Sequence, residues 1–232
     1  MKPKAVINWS GGKDSALALW AVWQAGAVEV VALLTTVNEA YGRIAMHGVR
    51  EDLLEAQAEA LGLPLIKAYL PEQCPMDEYD AIMRRHLEEL RGQGVTHAVF
   101  GDIFLEDLRR YREERLAEAG LTAVFPLWQI PTAELARRFV ADGFRAYTVC
   151  VNEKLLGRPF VGREMDTAFF ASLPANVDPC GENGEYHSFV YDGPIFHHPI
   201  PCRLGEIVQR SLGPDNETYD TRFWYADLIR DA

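Results

Sequence analysis

Long apolar runs, paired cysteines and positive charge are all scarce in this sequence. No stretch reaches the roughly 18 consecutive apolar residues that a helical membrane span needs. The opening residues, MKPKAVINWSGGKDS, contain neither an apolar segment nor the small-residue cleavage site of a secretory leader. Only four cysteines occur in 232 residues (Cys74, Cys150, Cys180 and Cys202), and no two form a Cys-x-x-Cys pair. That scatter excludes a dense disulfide framework. A zinc reading of Cys180, His187, His197, His198 and Cys202 matches the spacing of no common zinc module. Lysine and arginine number 23 against 34 acidic residues, a formal net charge of -11. A chain this acidic has no general attraction for nucleic acid or anionic lipid, although net charge does not forbid one basic cleft. Internal repeats and low-complexity segments are absent as well. The expectation is a soluble cytoplasmic protein that binds neither nucleic acid nor membrane.

What is present is a core-forming composition, 48% hydrophobic, laid out in a regular alternation. Short β-rich runs at 5–9, 29–36, 65–70, 96–102 and 123–127 are separated by amphipathic segments at 14–24, 49–61, 76–91 and 106–119. In the first of these segments Leu17, Leu19, Trp20 and Trp23 are expected mostly on the buried side, and the five tryptophans are most simply core. The run EVVALLTT at 29–36 is apolar throughout, as strands covered on both faces are. Such an alternation predicts an α/β fold: a parallel sheet with helices on both faces. A further helix is expected over 131–143. Beyond it glycine and proline are dense, helical periodicity fades, and alternating runs occur at 186–191, 203–210 and 221–225. These predict a smaller C-terminal α+β domain, so the chain is divided into domains at 1–135 and 136–232.

Ligands of open parallel sheets bind beyond the carboxyl ends of the strands. Three segments fall there: 10–15, 35–38 and 101–103. The first, Ser10-Gly11-Gly12-Lys13-Asp14-Ser15, lies between a strand and a helix. Two adjacent glycines let the backbone turn its N–H groups inward, and the helix N-terminus adds unpaired N–H groups and partial positive charge. The result is an anion nest suited to phosphate oxygens. Ser10 and Ser15 can donate hydroxyls, and Lys13 is expected to add a surface-facing positive charge. Asp14 would repel phosphate, so it either coordinates Mg²⁺ or caps the helix. The spacing is neither Walker G-x-x-x-x-G-K-[ST] nor G-x-G-x-x-G.

The string SGGKDS after the first strand resembles the phosphate loop of the PP-loop ATP pyrophosphatases, of the adenine nucleotide alpha hydrolase-like fold. GDIFLEDLRRYR at 101–112 and GENGEYHSFVYDGP at 181–194 are similar to segments of a narrower group, the diphthine–ammonia ligase (diphthamide synthase) family. The resemblance runs from residue 6 to about 196. It implies an enzyme that uses ATP to adenylate a carboxylate, releases pyrophosphate, and lets ammonia displace AMP to form an amide. It implies ATP and Mg²⁺ as cofactors. The acceptor it implies is diphthine, a modified histidine on a translation elongation factor, and a homodimer would be compatible with it.

Under this resemblance the catalytic candidates are Lys13, Asp14, Asp102, Glu185 and His187. Nucleotide would lie against Ser10, Gly11, Gly12, Lys13, Asp14 and Ser15, with Thr35 beside the adenine and with Gly101 and Asp102 at the end of the fourth strand. Metal would be held by Asp14 and Asp102. Substrate contacts are expected from His47, Arg50, Arg109, Arg112, Glu182, Asn183, Glu185 and His187. Guanidinium groups suit phosphate and carboxylate alike. The acids of 182–185 would suit a trimethylammonium group or ammonia, and His187 could shuttle a proton. For Arg50, Arg109 and Arg112 a solvated, salt-bridged face is the alternative. Two other functions share the fold, a thiolating PP-loop enzyme and a non-catalytic ATP or AMP sensor. The unpaired cysteines speak against the first.

Overall fold

A computed structural model describes residues 2–44, 48–211 and 222–231. Strand β1 (Lys4–Asn8) is followed by α1 (Lys13–Ala25), β2 (Glu29–Asn38), the short β3 (Arg43–Ile44) and α2 (Glu51–Leu61). Then come β4 (Leu65–Leu70), α3 (Met76–Gly92), β5 (Val95–Val99), α4 (Glu106–Glu118) and β6 (Thr122–Val124). Strands β4, β2, β1, β5 and β6 lie side by side in that order, and all of these pairings are parallel. Val37 and Asn38 of β2 pair with β4 on one edge and antiparallel with β3 on the other. Strand β3 therefore sits beyond the end of β1. The chain leaves β1 toward β2 and β4, then α3 carries it across to β5 on the opposite side. That reversal creates a crevice beyond Asn8 and Val99, where such sheets take their ligands.

The apolar strands bury both faces, as the unbroken run in β2 predicted. On one face Ile7, Leu33 and Val99 share a core with Leu17 and Leu19 of α1 and with Leu53 and Leu54 of α2. On the other, Val6, Leu34 and Ala98 pack with Leu87 and Leu90 of α3 and with Leu116 of α4. Helix α1 ends at Gly26 and α2 at Gly62, both left-handed (φ 61° and 67°), which releases the chain into the next strand. Trp9 is the only tryptophan that is fully buried among the described residues, and Trp23 is 36% exposed. The expectation for Trp23 is thereby corrected: it lies in the last turn of α1 with a solvent-exposed side chain.

The C-terminal part contains α5 (Thr132–Ala141), β7 (Arg145–Asn152), a 3₁₀ turn (Arg158–Phe160), α6 (Thr167–Ala171), β8 (Tyr186–Asp192), β9 (Cys202–Ser211) and β10 (Arg222–Arg230). Its sheet runs β8-β7-β10-β9 and is wholly antiparallel. Strand β7, RAYTVCVN, was not expected. Its residues from Val149 to Asn152 are all buried, so the inside–outside alternation that marks a half-exposed strand is lost. Phe139, Phe144, Phe189 and Val190 belong to the same core as Ile7 and Leu33, so apolar packing runs unbroken from the first sheet to the second.

Candidate functional site

The turn after β1 is bent by Gly11 (φ 74°). A Cβ there would stand 2.7 Å from Gln57 Oε1 and from Leu54 Cδ2 of α2, so glycine is required by both conformation and space. The turn is pinned from three directions. Val190 N donates to Gly11 O (2.9 Å). Gln57 Nε2 donates to Gly11 O (3.0 Å) and to Val190 O (2.6 Å), while Gln57 Oε1 accepts from Trp9 Nε1 (2.8 Å). Lys13 N donates to Ser188 Oγ (3.1 Å). Helix α1 then starts with Gly12 as its N-cap and no side-chain cap. Asp14 is thus not the capping residue, which removes one of its two expected roles. The amides of Asp14 and Ser15 in the first turn have no acceptor within the helix, and with the helix dipole they give this end its affinity for anions. Ser15 Oγ donates to Gly12 O (2.9 Å) and lies 3.2 Å from Ser10 Oγ.

Lys13 is placed differently from the expectation of a surface-facing charge. It is 1% exposed, with Nζ 2.6 Å from Asp14 Oδ1 and 2.5 Å from the carbonyl oxygen of Cys180. Burial is the largest influence and opposes its charge, but Asp14, Cys180 and Tyr186 together outweigh it and hold the ammonium pKa above the ordinary lysine range. The same desolvation raises the Asp14 carboxyl, with Lys13 acting against it. Lys13 also lies under the Tyr186 ring, 5.6 Å from its centroid. The lysine ties the turn to the segment before β8, a partner 167 residues away in sequence.

Around this turn lies a cleft of about 470 Å³. Ser10, Gly12, Lys13, Asp14 and Ser15 line it, with Thr35 and Thr36 from β2, Gly101 and Asp102 after β5, Arg112 from α4, and Glu182, His187 and Ser188 from the C-terminal part. Gly101 lies so close to α1 that a Cβ would come within 2.8 Å of the Asp14 carbonyl carbon and oxygen. What it makes room for is the phosphate-type turn itself. Asp102 is buried, and its pKa is raised by desolvation against the pull of Arg112, whose Nε is 3.2 Å from Oδ1 and 3.0 Å from Oδ2. Asn8 Nδ2 and Thr35 Oγ1 are buried without a hydrogen bond, Asp102 Oδ2 has only its ion pair with Arg112, and all three residues line this cleft. Buried polar atoms are seldom left so, and their clustering here points to a polar occupant.

The segment 178–188 forms the far wall. Asp178 Oδ2 accepts from the amides of Cys180 and Glu182 (3.0 and 3.1 Å). Glu185 is 2% exposed, and its carboxylate accepts from Asp178 N, Asn183 N and Asn183 Nδ2 (3.0, 2.9 and 3.1 Å). It therefore holds the loop together and does not line the cleft, and Asn183 is exposed on the loop's outside. Glu182 reaches the other way: Oε1 accepts from Ile103 N (2.7 Å) and Phe104 N (3.4 Å). Burial pushes its carboxyl up to about 7. His187 is held down to about 4, first by burial and then by Lys13, so its imidazole is neutral at pH 7.

The other expected residues lie apart. Arg50 forms a bidentate pair with Asp227 of β10 (3.0 and 2.6 Å), which Arg43 also joins, outside the cleft. Arg109 stacks over Phe125 and Trp128 and pairs with Glu113. Arg112 alone of the three reaches the cleft, with its guanidinium over Phe100. His47 lies outside the described residues. No group of three metal-binding side chains occurs among the described residues. Cys180 Sγ donates to Thr132 O. Sequence reading missed Gln57, Ser188 and Asn8. Gln57 had a signal: it stands on the apolar face of α2 beside Leu53, Leu54 and Leu61, where an unexplained amide implies a buried partner.

Family models described as the diphthamide synthase N-terminal domain and the diphthamide synthase C-terminal domain match residues 3–123 and 132–211. The diphthine–ammonia ligase of Schizosaccharomyces pombe is 28% identical over 223 residues, covering 88% of this chain and 37% of that protein. That of Mus musculus is 27% identical over 241 residues, covering 91% of this chain and 86% of the mouse protein. That of Homo sapiens is 26% identical over 240 residues, with the same coverage of 91% and 86%. The chain thus spans little more than a third of the fission-yeast protein but most of the mouse and human ones.

Proposed function

Because the chain belongs to the diphthamide synthase family, we propose that it is an ATP-dependent amide ligase that adenylates a diphthine-type carboxylate and transfers ammonia to it. The observation that carries this reading is the pinned 10–15 turn, whose helix end opens onto a cleft lined with unsatisfied polar atoms. The β- and γ-phosphates of ATP lie on this turn, against the amides of Asp14 and Ser15 and the hydroxyls of Ser10 and Ser15. Thr35 and Thr36 border the base. The acceptor carboxylate attacks the α-phosphorus, and pyrophosphate leaves with its growing charge already faced by fixed N–H dipoles. Arg112, paired with Asp102 through Nε, lines the cleft as the guanidinium that a phosphate or carboxylate can reach.

Mg²⁺ fits the donors present. Asp14 and Asp102 offer carboxylates on opposite lips of the turn, and Asp102 Oδ2 receives no hydrogen bond. Magnesium is commonly held by one or two carboxylates together with substrate phosphates. When bound, it would neutralise phosphate charge. Lys13 opposes the protonation of Asp14 that burial favours, and holds its carboxylate in place. Glu185 positions the loop that faces the acceptor, and residues 136–232 supply that acceptor side. The acceptor is carried on a translation elongation factor, and the reaction takes place in the cytoplasm.

Thiolation is a poorer match. Burial pushes the thiols of Cys150 and Cys180 up to about 12, so neither supplies a thiolate for sulfur transfer at neutral pH. The test is pyrophosphate release with ATP, a diphthine-bearing elongation factor and ammonium, each omitted in turn. Stoichiometric AMP, pyrophosphate and amide support the ligase. ATP binding with no acceptor-dependent turnover would leave only a sensor.

A further inference from the structure

The amide-forming half of the reaction needs a group that handles ammonia, which at pH 7 is present almost wholly as ammonium. Among the ionisable side chains of residues 178–188, Glu182, Glu185 and His187 are the three expected to meet substrate. Glu185 is closed in by three N–H donors and does not line the cleft. His187 lines the cleft, but its imidazole, held down to about 4, is a weak base there. Glu182 differs from both. Its Oε1 is fixed by the amides of Ile103 and Phe104 at the end of β5, and its carboxylate lines the cleft opposite the 10–15 turn. A carboxylate held at one oxygen and open at the other is a receptor for a small cation.

We propose that Glu182 binds the ammonium ion and is the base that converts it to ammonia for attack on the acyl-adenylate; this rests on the ligase reading above. Ammonium gives one proton to Glu182 Oε2. The ammonia so formed attacks the acyl carbon. A C–N bond forms, the bond from the acyl carbon to the phosphate oxygen breaks, and AMP leaves with the electron pair. The surplus proton on nitrogen goes to that leaving oxygen, and Glu182 returns its proton to water.

The charged surroundings suit the task. Lys13 is paired with Asp14 of α1 and Arg112 with Asp102 after β5, so neither leaves an uncompensated positive charge to repel a cation at Glu182. Asp178 and Glu185 are engaged within the loop, and Tyr186 and His187 on β8 are neutral at pH 7. Desolvation places the Glu182 carboxyl near 7, nearer to ammonium than an ordinary glutamate would be, and general bases act best when their pKa lies close to the working pH.

The test compares two nucleophiles in wild type and Glu182→Gln, an isostere whose amide oxygen can still accept from Ile103 N. Hydroxylamine is neutral at pH 7 and needs no deprotonation before attack. Acceptor-dependent exchange of pyrophosphate into ATP reads the first half-reaction alone. Glu182→Gln is expected to keep that exchange within a few-fold and to form hydroxamate at close to the wild-type rate. Its ammonium-dependent amide formation is expected to fall about 100-fold, the usual scale for removing a general base. Loss of exchange, equal loss with both nucleophiles, or no loss with ammonium each overturns the assignment.

Wild type alone gives a second check that does not depend on how the variant folds. kcat/KM for total ammonium should rise through pH 7 and level off well before the ammonium ion itself titrates. A continued rise of about tenfold per pH unit toward an amine-like pKa means that free ammonia binds, and removes the role of Glu182. If wild type shows no acceptor-dependent exchange, the ligase reading falls and this inference with it. Exchange without the nucleophile dependence overturns this inference alone.

Discussion

Lys13 sits at the expected turn but in a buried position that its sequence context did not suggest. Its ammonium is enclosed by Asp14, the Cys180 carbonyl and the Tyr186 ring. Lys13→Met keeps much of the volume but leaves Asp14 without its partner. Breaking a buried pair on one side costs on the order of 3 kcal/mol, so a clear loss of thermal stability is expected along with loss of turnover. A variant with wild-type melting and no activity would instead mean that the side chain serves phosphate only. Gly101→Ala tests the adjoining contact. Its Cβ has nowhere to go but into the Asp14 carbonyl, so the turn must shift. Calorimetry is expected to show ATP affinity at least tenfold weaker, with the fold retained.

Two residues of the far wall give pH effects of opposite sign. The folded pKa of His187, about 4, lies below its unfolded value near 6.5. Its contribution is therefore present above pH 6.5 and is lost as pH falls toward 4, by about 3 kcal/mol in all. Glu182 has its folded pKa raised to about 7. Its contribution is present below the ordinary glutamate range and is lost as pH rises through 7. Denaturant melts across pH 4–8 should show His187→Gln gaining on wild type toward acid and Glu182→Gln gaining toward neutral pH. Parallel curves would contradict both placements.

At the scale of elements, the site depends on how α1, α2 and β8 meet. Gln57 of α2 joins β8 to the turn that leads into α1: it accepts from Trp9 and donates to the carbonyls of Gly11 and Val190. Replacing it by leucine leaves a buried indole N–H and the Val190 carbonyl without this partner. Each such buried group costs about 1–3 kcal/mol. Gln57→Leu is expected to lower the melting temperature and to weaken ATP binding together, although Gln57 does not line the cleft. Unchanged ATP affinity in a folded Gln57→Leu protein would show that the turn holds its shape without α2. Much at this scale could be read in advance. Apolar β2, glycine-closed α1 and α2, and β4 at Leu65–Leu70 follow from patterns of apolar residues, glycine and proline. Strand β7 could not, because complete burial of its inner half erases the period on which strand recognition relies.

At the scale of the whole molecule, the two sheets share one core and the turn is pinned from the second sheet. A fragment of residues 1–130 should therefore lack the Val190 partner of Gly11, the Ser188 and Cys180 partners of Lys13, and much of the apolar cover of α1. It is expected to bind ATP far more weakly than the full chain, if it folds cooperatively at all, as judged by circular dichroism and calorimetry. Full-length affinity in that fragment would separate the nucleotide site from the C-terminal part.

The sequence by itself determined the parallel sheet, the position of the glycine-bent turn beyond its first strand, and the loop rich in acids that faces it. These are local matters: period, glycine placement and the order of motifs along the chain. Only the tertiary structure decided which side chains share the cleft. Arg112 reaches it while Arg50 turns to Asp227 and Arg109 to Trp128, and Glu182 faces it while Glu185, three residues on, closes its own loop. Direction of a side chain depends on which neighbour the fold brings to it, whether 177 residues away as for Arg50 or 79 as for Glu182, and such contacts leave no periodic trace in the chain that makes them.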